Sequence, residues 1–160
     1  MKKVIMIMIA LAVAVSAFAQ VTTFRANKAM ITEDGTWKDN PVFDLTGEGV
    51  FIVMDYGKDV VRISNKANQV FFVRSSEKLP VEKDKDGLEI NTVKYYAWDD
   101  SGTECELYLF WYEGFKGTFG GSEAVIRVVT KQYMLDYASD IVSFKEKDES
   151  DEDSKTNSDV

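Results

Sequence analysis

The feature that most constrains this chain is an alternation of apolar and polar residues with a period of two. After Gly102, the residues Cys105, Leu107, Leu109 and Trp111 alternate with Glu104, Glu106, Tyr108 and Phe110. Successive side chains of a strand point to opposite faces, so this pattern predicts a β-strand with one buried face. Residues 69–73 and 93–98 alternate similarly and are rich in the β-branched and aromatic residues that favour strands. The sequence contains no amphipathic segment of helix length, so we predict an all-β protein.

About eight strands are predicted, separated by turns rich in Gly and Asp. They are residues 24–32, 50–54, 60–64, 69–74, 88–98, 103–112, 123–130 and 132–137. Residues 50–54 are continuously apolar, which predicts a strand buried on both faces. Short connections favour an antiparallel meander, and eight such strands form either a small lipocalin-like barrel or a β-sandwich.

The composition removes several classes of function. The 160-residue chain has no His and one Cys, which excludes a His-dependent catalytic triad, a Cys- or His-based zinc site and an internal disulfide bond. Its 27 acidic residues outnumber its 19 Lys and Arg residues, for a net charge of −8. An acidic chain is a poor partner for nucleic acid, because Lys and Arg supply most of the affinity for phosphate. We therefore predict no cofactor, no metal site and no nucleic-acid partner.

The N-terminal segment has the organisation of a secretory signal peptide. Two lysines follow Met1, residues 4–15 are continuously apolar, and residues 17–19 read Ala-Phe-Ala, which matches a cleavage site. The apolar run is too short to span a bilayer comfortably, and no later run reaches that length, so no membrane span is predicted. We predict that residues 1–19 are removed and that the mature protein is periplasmic or secreted.

The C-terminal residues 145–160 form a strongly charged segment. They include seven acidic and three basic residues, no aromatic residue and a single aliphatic residue at the end. Such a segment buries too little apolar surface to offset the entropy lost on ordering, so we predict a disordered acidic tail. The folded part is then a single all-β domain of residues 20–144.

Several short segments follow one another in a recognisable order along the mature chain. They are Gly35-Thr36-Trp37, Met54-Asp55, Val61-Arg62-Ile63, Gln69-Val70-Phe71, residues 99–105, and the tyrosines Tyr133 and Tyr137. In this order and spacing, the chain resembles a group of uncharacterised small secreted β-rich proteins from bacteria of the Bacteroidetes kind. The resemblance implies a β-rich fold and export from the cytoplasm, and it implies no catalytic residue.

Residues 113–122 form a connection that differs from the short polar turns. They contain four Gly residues and two apolar rings, Phe115 and Phe119. Gly allows mobility and an exposed Phe favours a contact, so the segment is typical of a lid or partner-binding tip at the mouth of a barrel. The alternative is that both rings fold back onto the core. We predict a site for a ligand or partner at Phe115, Phe119 and the adjacent strand residues Trp111 and Tyr112.

Aromatic residues are abundant, with 10 Phe, 3 Trp and 7 Tyr. They indicate either a plain aromatic core or a platform that stacks on sugars or lines an apolar cavity. The neighbours Tyr95 and Tyr96 must point to opposite faces of their strand, as must Trp111 and Tyr112. Cys105 shares the apolar face of its strand with Leu107, which predicts a buried and inert thiol.

Paired carboxylates are the remaining candidate chemistry. Glu104 and Glu106 lie on one face of a predicted strand, about 7 Å apart from the strand rise, which is near the separation used in glycoside hydrolysis. Any acidic pair two residues apart on a strand has this spacing, so a charged outer face is the simpler interpretation. Residues 82–87 resemble the first half of a calcium loop, but Val93 stands at the position that requires a bidentate acid, which favours a solvated hairpin loop.

These observations favour an exported, non-catalytic binding or interaction protein of the bacterial envelope over an enzyme. The expected partner is a small apolar molecule, a glycan or an envelope protein. The alternative is a small glycan-acting hydrolase that uses paired carboxylates. A cavity open at one end of the barrel favours the first function, and two carboxylates converging in a cleft favour the second.

Overall fold

The computed structural model describes residues 20–32 and 41–146 of the chain. Three predictions therefore lie partly or wholly outside the described residues. They are the signal peptide of residues 1–19, the early segment that contains Trp37, and residues 147–160 of the predicted tail.

The described chain consists of ten strands and one short 3-10 turn. The strands are β1 (Gln20–Thr32), β2 (Val42–Asp44), β3 (Phe51–Asp55), β4 (Val60–Ser64), β5 (Gln69–Lys78), β6 (Glu82–Lys83), β7 (Glu89–Asp99), β8 (Glu104–Tyr112), β9 (Ala124–Val129) and β10 (Met134–Glu146). The 3-10 turn, Glu113–Phe115, directly follows β8. Each of the eight predicted strands corresponds to one observed strand, and the two-residue β6 and three-residue β2 are additional.

Eight of the strands form a closed antiparallel barrel in meander order. The order around the sheet is β10-β9-β8-β7-β5-β4-β3-β1, and β1 also pairs with β10, which closes the sheet on itself. The short strands β2 and β6 pair with β1 and β7 respectively. The prediction of an all-β meander is confirmed, and of the two predicted architectures the structure is the barrel. Closure removes the free edges that a sandwich leaves unpaired.

The turn between β7 and β8 shows how a short connection is stabilised. The Asp99 Oδ1 atom accepts hydrogen bonds from the backbone N–H groups of Ser101 (3.0 Å) and Thr103 (2.8 Å), and from the Ser101 hydroxyl (2.6 Å). Gly102 takes a φ of 81°, a left-handed conformation that costs a glycine little. The Asp-Gly signals in the sequence therefore mark the hairpins correctly.

The barrel interior is filled by apolar side chains from alternate positions of the strands. The core members that are at most 1% exposed include Phe24, Ile52, Met54, Ile63, Leu107, Leu109, Ile126 and Val128. Cross-strand register brings these residues together, as in the row formed by Leu107, Val128 and Tyr95. Burial of each such side chain contributes about 1.5–3 kcal/mol to stability. An eight-stranded barrel is just wide enough for such side chains to fill.

One prediction about burial is wrong. The apolar run of residues 50–54 is buried on one face only, because Ile52 and Met54 point into the barrel while Phe51 and Val53 lie half-buried on its outer surface. Side chains alternate between the two faces of each strand in a closed barrel. Only one face points toward the core, whatever the polarity of the other face.

β1 and β10 pair along nearly their whole length, from Gln20 opposite Glu146 to Thr32 opposite Met134. This register places Lys145 and Glu146, the first two residues of the predicted tail, inside β10. Irregularities in the register between Ala26 and Lys28 leave Asn27 as an extra residue in β1. Such a bulge bends its strand and increases the local twist, which helps a small sheet to close.

The two ends of the barrel carry different connections. The β3–β4 hairpin, the connection from β5 to β7 and residues 113–123 lie at the end where β1 begins and β10 finishes. We call this end the mouth. The opposite end carries the short turns that join β4 to β5, β7 to β8 and β9 to β10.

Candidate functional site

The four residues predicted to bind a ligand or partner divide between the two faces of the barrel. Trp111 points inward, opposite Asn91 and Ala124, and is 7% exposed. Tyr112 is the next residue and points outward, as the alternation predicts, but it is also buried. Its ring lies against Phe119, with ring centroids 4.8 Å apart. Phe115 is half-buried and packs against the core cluster. The four rings therefore do not form one continuous surface.

The Gly-rich loop, residues 113–122, is held to the barrel by several contacts. Phe119 and Ser122 exchange backbone hydrogen bonds across Gly120 and Gly121, which makes a two-residue hairpin turn. The amide of the bulge residue Asn27 donates to the Ser122 hydroxyl (3.1 Å) and to Asp140 Oδ2 (2.8 Å). This arrangement corresponds to the alternative in which the two rings fold back, rather than to a loop with two projecting rings.

Gly117 shows how closely this loop approaches the barrel. A Cβ atom built at Gly117 would lie 2.8 Å from the ring of Tyr112, closer than real Cβ contacts. A glycine is required here because the backbone passes directly over the aromatic ring.

A second feature, which the sequence did not predict as a site, is a cleft at the mouth of the barrel. We call it the Tyr56 cleft; it has a volume of about 100 Å³. Its lining residues are Met54, Asp55, Tyr56, Asp59, Val60, Val61, Val73, Ser76 and Tyr95. The β3–β4 hairpin supplies most of them, and β5 and β7 supply the opposite side. The irregularity at Arg74 in β5 allows both Val73 and Ser76 to face inward, opposite Ala97 and Tyr95.

The hydroxyls of Tyr56 and Tyr95 line this cleft, and the hydroxyl of Thr22 lies close to that of Tyr56. Burial raises the pKa of Tyr56, and the neighbouring hydroxyls of Tyr95 and Thr22 partly offset that effect. Burial also raises the pKa of Tyr95, and the neighbouring Tyr56 raises it further. Both tyrosines are therefore neutral hydrogen-bonding groups at physiological pH.

Thr22 is the unusual member of this group. It is 1% exposed and lies beside Met54 in the β1–β3 register. Its hydroxyl is close enough to Tyr56 to affect the ionisation of that ring, yet among the described residues it has no partner at full hydrogen-bond geometry. The Thr22 hydroxyl is therefore near Tyr56 without being aligned for a hydrogen bond, because a hydrogen bond needs alignment as well as proximity. A buried hydroxyl without a partner costs stability and is available to a bound molecule.

Two carboxylates lie at the rim of the cleft. Asp55 Oδ1 accepts a hydrogen bond from the backbone N–H of Lys58 (3.1 Å), and its Oδ2 atom lies 3.9 Å from the ammonium group of the exposed Lys58. Asp59 is exposed and adopts a φ of 52°, a left-handed conformation that an aspartate tolerates in a tight hairpin. Its carbonyl oxygen accepts a hydrogen bond from Val73 N–H, which ties the hairpin to β5.

The predicted carboxylate pair lies elsewhere, on the outer surface of β8. The Lys94 ammonium group lies 3.0 Å from Glu106 Oε1, and the Tyr108 hydroxyl donates to Glu106 Oε2 at 2.7 Å. The Tyr108 hydrogen bond is the main cause that lowers the pKa of Glu106. A general acid for glycoside cleavage needs a raised pKa, so this environment has the opposite effect.

Residues 82–87 form a turn in the connection before β7. Asp84 Oδ1 accepts hydrogen bonds from the backbone N–H groups of Asp86 (2.8 Å) and Leu88 (2.9 Å). Its carboxylate is thus engaged by the chain itself, as the hairpin interpretation predicts. Within the described part of the chain, no group of three or more Asp, Glu or Cys side chains is arranged to hold a metal ion.

Cys105 is buried on the inner face, as predicted. Burial is the main cause that raises the pKa of its thiol to about 11, and the nearby carboxylates of Asp99 and Glu106 act in the same direction. A thiol in this environment stays protonated and is a poor nucleophile.

The outer surface carries several rings beside cationic groups. The Lys94 ammonium lies 4.5 Å from the centroid of the Tyr96 ring, and the Arg74 guanidinium lies 5.4 Å from that of Trp98. Trp98 is 37% exposed and its cross-strand neighbour Phe72 is 48% exposed. The exposed rings of Trp98 and Phe72 therefore have neighbours on the sheet, which is the arrangement of a stabilised strand surface.

The sequence did not point to Tyr56 because this residue reads as part of a turn. Asp55, Tyr56 and Gly57 predict a hairpin, and the hairpin is present. The signal that could have identified Tyr56 is its aromatic ring, because a hairpin turn needs no aromatic residue. The Tyr56 ring packs against the core cluster.

Comparisons with known proteins do not add to this description. A scan against protein-family models finds no match, and searches of curated proteins and of solved structures find no significant match. In the described residues, no helical segment has the length and hydrophobicity needed to cross a bilayer.

Proposed function

We propose that this chain is an exported, non-catalytic binding protein of the bacterial envelope that holds a small molecule in the Tyr56 cleft. The observation that carries the proposal is the cleft itself, which is lined by the half-buried Tyr56 and the buried Tyr95 and lies next to a buried hydroxyl, that of Thr22, which lacks an aligned partner among the described residues. Convergent polar groups in an otherwise apolar concavity are typical of ligand sites. The proposed export rests on the signal-like N-terminal sequence.

The size of the cleft favours a small molecule over the other two expected partners. Large side chains occupy the rest of the interior, so about 100 Å³ remains at the mouth. This space holds one small chemical group, because an apolar cavity of about 150 Å³ accommodates a benzene ring, and the rest of a small ligand projects from the open mouth. A glycan chain or a protein segment requires a longer groove.

The hydrolase alternative now depends on Asp55 and Asp59, since both carboxylates line the cleft. Two features weigh against it. Asp55 already accepts a backbone hydrogen bond in its own turn, and the cleft is small for a sugar ring flanked by two acids. A binding role is therefore the better-supported proposal.

Filling the cleft tests this function. Ser76 is exposed at the rim and faces Tyr95, so Ser76→Trp places a large ring in the cleft with little disturbance of the core. The neighbouring Ser75 pairs with Tyr96 on the outer surface, so Ser75→Trp is a matched control. Each protein is incubated with cell-envelope extract, purified again and examined by native mass spectrometry.

We expect the unmodified protein and Ser75→Trp to retain a small molecule, and Ser76→Trp to lose it while keeping its thermal midpoint. Equal retention by all three proteins would place binding outside the cleft. Loss of retention on replacing Phe115 and Phe119 by Ser, with no loss in Ser76→Trp, would instead favour the Gly-rich loop. Retention by none of the proteins would contradict the proposed function.

A further inference from the structure

The two charged residues that line the Tyr56 cleft are both acidic. Asp55 and Asp59 contribute two carboxylates to its lining, and none of the described lining residues is a Lys or Arg. Lys58 lies 3.9 Å from one oxygen of Asp55, and its side chain is 72% exposed. An exposed pair at this distance is screened by solvent, so the rim keeps a negative potential.

The inner part of the cleft consists of aromatic rings and a polarizable thioether. The rings of Tyr56 and Tyr95 stand beside the thioether of Met54, and the Tyr56 hydroxyl donates to that sulfur at 3.5 Å. A tyrosine ring attracts a cation through its negative face, and a thioether is polarizable. Neither the ring face nor the thioether attracts a carboxylate or phosphate, and the two rim carboxylates repel one, so an anionic ligand is disfavoured.

The hydrogen-bonding groups available inside the cleft are hydroxyls. The hydroxyls of Tyr56 and Tyr95 line the cleft and have lone pairs that accept hydrogen bonds, and the buried Thr22 hydroxyl next to Tyr56 has no aligned partner among the described residues. A ligand with N–H or O–H donors satisfies such acceptors. A bare metal ion is a poorer fit, because hard cations need several oxygen ligands and half of this lining is apolar.

From this arrangement we infer that the ligand of the Tyr56 cleft is a small organic ammonium ion. The cationic head lies against Tyr56 and Tyr95, near the carboxylates of Asp55 and Asp59. The inference rests on the proposed function, because it names the class of molecule that the same cleft would hold. It also explains why an acidic rim surrounds an aromatic interior.

The test compares a cation with an uncharged molecule of the same shape. Choline is titrated into the protein by isothermal calorimetry, followed by the choline isostere in which a quaternary carbon replaces the nitrogen. The titrations are repeated with Asp59→Asn and with Asp100→Asn. Asp100 lies in the turn at the opposite end of the barrel, so its substitution changes the net charge equally without touching the cleft.

We expect choline to bind and its isostere to bind at least about fivefold more weakly, the factor that one moderate charge interaction supplies. Asp59→Asn should remove most of that preference, whereas Asp100→Asn should retain it.

If the isostere binds as well as choline, and Ser76→Trp abolishes both, the ammonium inference is wrong and the proposed function stands. If neither probe binds while envelope extract still supplies a molecule that Ser76→Trp loses, the inference is again wrong. If no molecule from either source depends on the cleft, the proposed function fails as well.

Discussion

At the scale of single residues, the described part of the chain combines well-satisfied buried polar side chains with one exception. The buried Ser139 hydroxyl donates to the Tyr137 carbonyl at 3.2 Å, and Asn27, Asp84 and Asp99 each bridge backbone or side-chain groups. Thr22 is as deeply buried as Ser139 but lacks an aligned partner among the described residues. Because a native fold satisfies nearly all its buried polar groups, an exception beside a cleft is more informative than one in a packed core.

This contrast predicts different effects for two small substitutions. Thr22→Val replaces an unpartnered hydroxyl by a methyl group of similar size, so the free energy of unfolding should stay unchanged or rise by up to about 1 kcal/mol. Ser139→Ala removes a hydroxyl that makes a hydrogen bond and should lower the free energy of unfolding by about 1 kcal/mol. Urea denaturation of the ligand-free proteins measures both values. A loss above about 1 kcal/mol in Thr22→Val would show that its hydroxyl is satisfied in the folded state.

At the scale of elements, the Gly-rich loop behaves as part of the barrel wall. Phe119 lies on Tyr112, Phe115 packs on the core, and Asn27 ties the loop to β1. Rings that are half-buried contribute to stability in proportion to the area they remove from water. The loop therefore stabilises the end of β8, whether or not it also contacts a partner.

Gly117→Ala is the sharpest probe of that packing. The added methyl group meets the Tyr112 ring at 2.8 Å, so either the loop or the ring must move. We expect the free energy of unfolding to fall by about 1–3 kcal/mol, the usual range for overpacking. Lys116→Ala changes the adjacent exposed residue and should have little effect, by less than about 0.5 kcal/mol. Equal midpoints for the two variants in chemical denaturation would indicate a loop that moves freely away from the barrel.

The strands were largely predictable because the signal that defines them is local. Alternation in residues 103–112 identifies both β8 and the faces of its side chains, including Trp111 inward and Tyr112 outward. The boundaries are less well defined by sequence: β5 continues to Lys78 and β10 to Glu146, beyond the last clearly alternating residues. Strand ends depend on how far the neighbouring strand offers partners, and that information lies elsewhere in the chain.

At the scale of the whole molecule, the choice between barrel and sandwich depended on one non-local pairing. β1 and β10 are separated by the rest of the domain, and nothing in either segment specifies that they meet. Closure also creates the Tyr56 cleft, because it brings the β3–β4 hairpin, the bulged β5 and Tyr95 of β7 around one opening. The cleft was therefore not predictable from motifs. Most of its residues were assigned to the correct strand, but Ser76 was not, because the strand predicted at residues 69–74 continues to Lys78.

The same closure couples the stability of the barrel to the ionisation of its tyrosines. Burial raises the pKa of both Tyr56 and Tyr95 in the folded protein, whereas an unfolded tyrosine ionises near pH 10. Below that pH both states are protonated and these groups add no pH dependence. Above about pH 10 the unfolded state loses protons that the folded state keeps, so the free energy of unfolding falls as the pH rises.

We therefore expect alkaline unfolding to be cooperative. The last tyrosines should ionise, seen as a rise in tyrosinate absorbance, at the same pH at which the β-sheet circular dichroism is lost. Tyr95→Phe removes one of the coupled groups, so the free energy of unfolding should fall less steeply with pH in this variant. Tyr96→Phe is the matched control, because Tyr96 points outward and its hydroxyl donates to Glu77 at 2.8 Å. If all seven tyrosines ionise while the circular dichroism is still native, hydroxide reaches the interior of the closed barrel. The cleft would then be open to solvent down to its inner hydroxyls, which contradicts the burial on which the coupling depends.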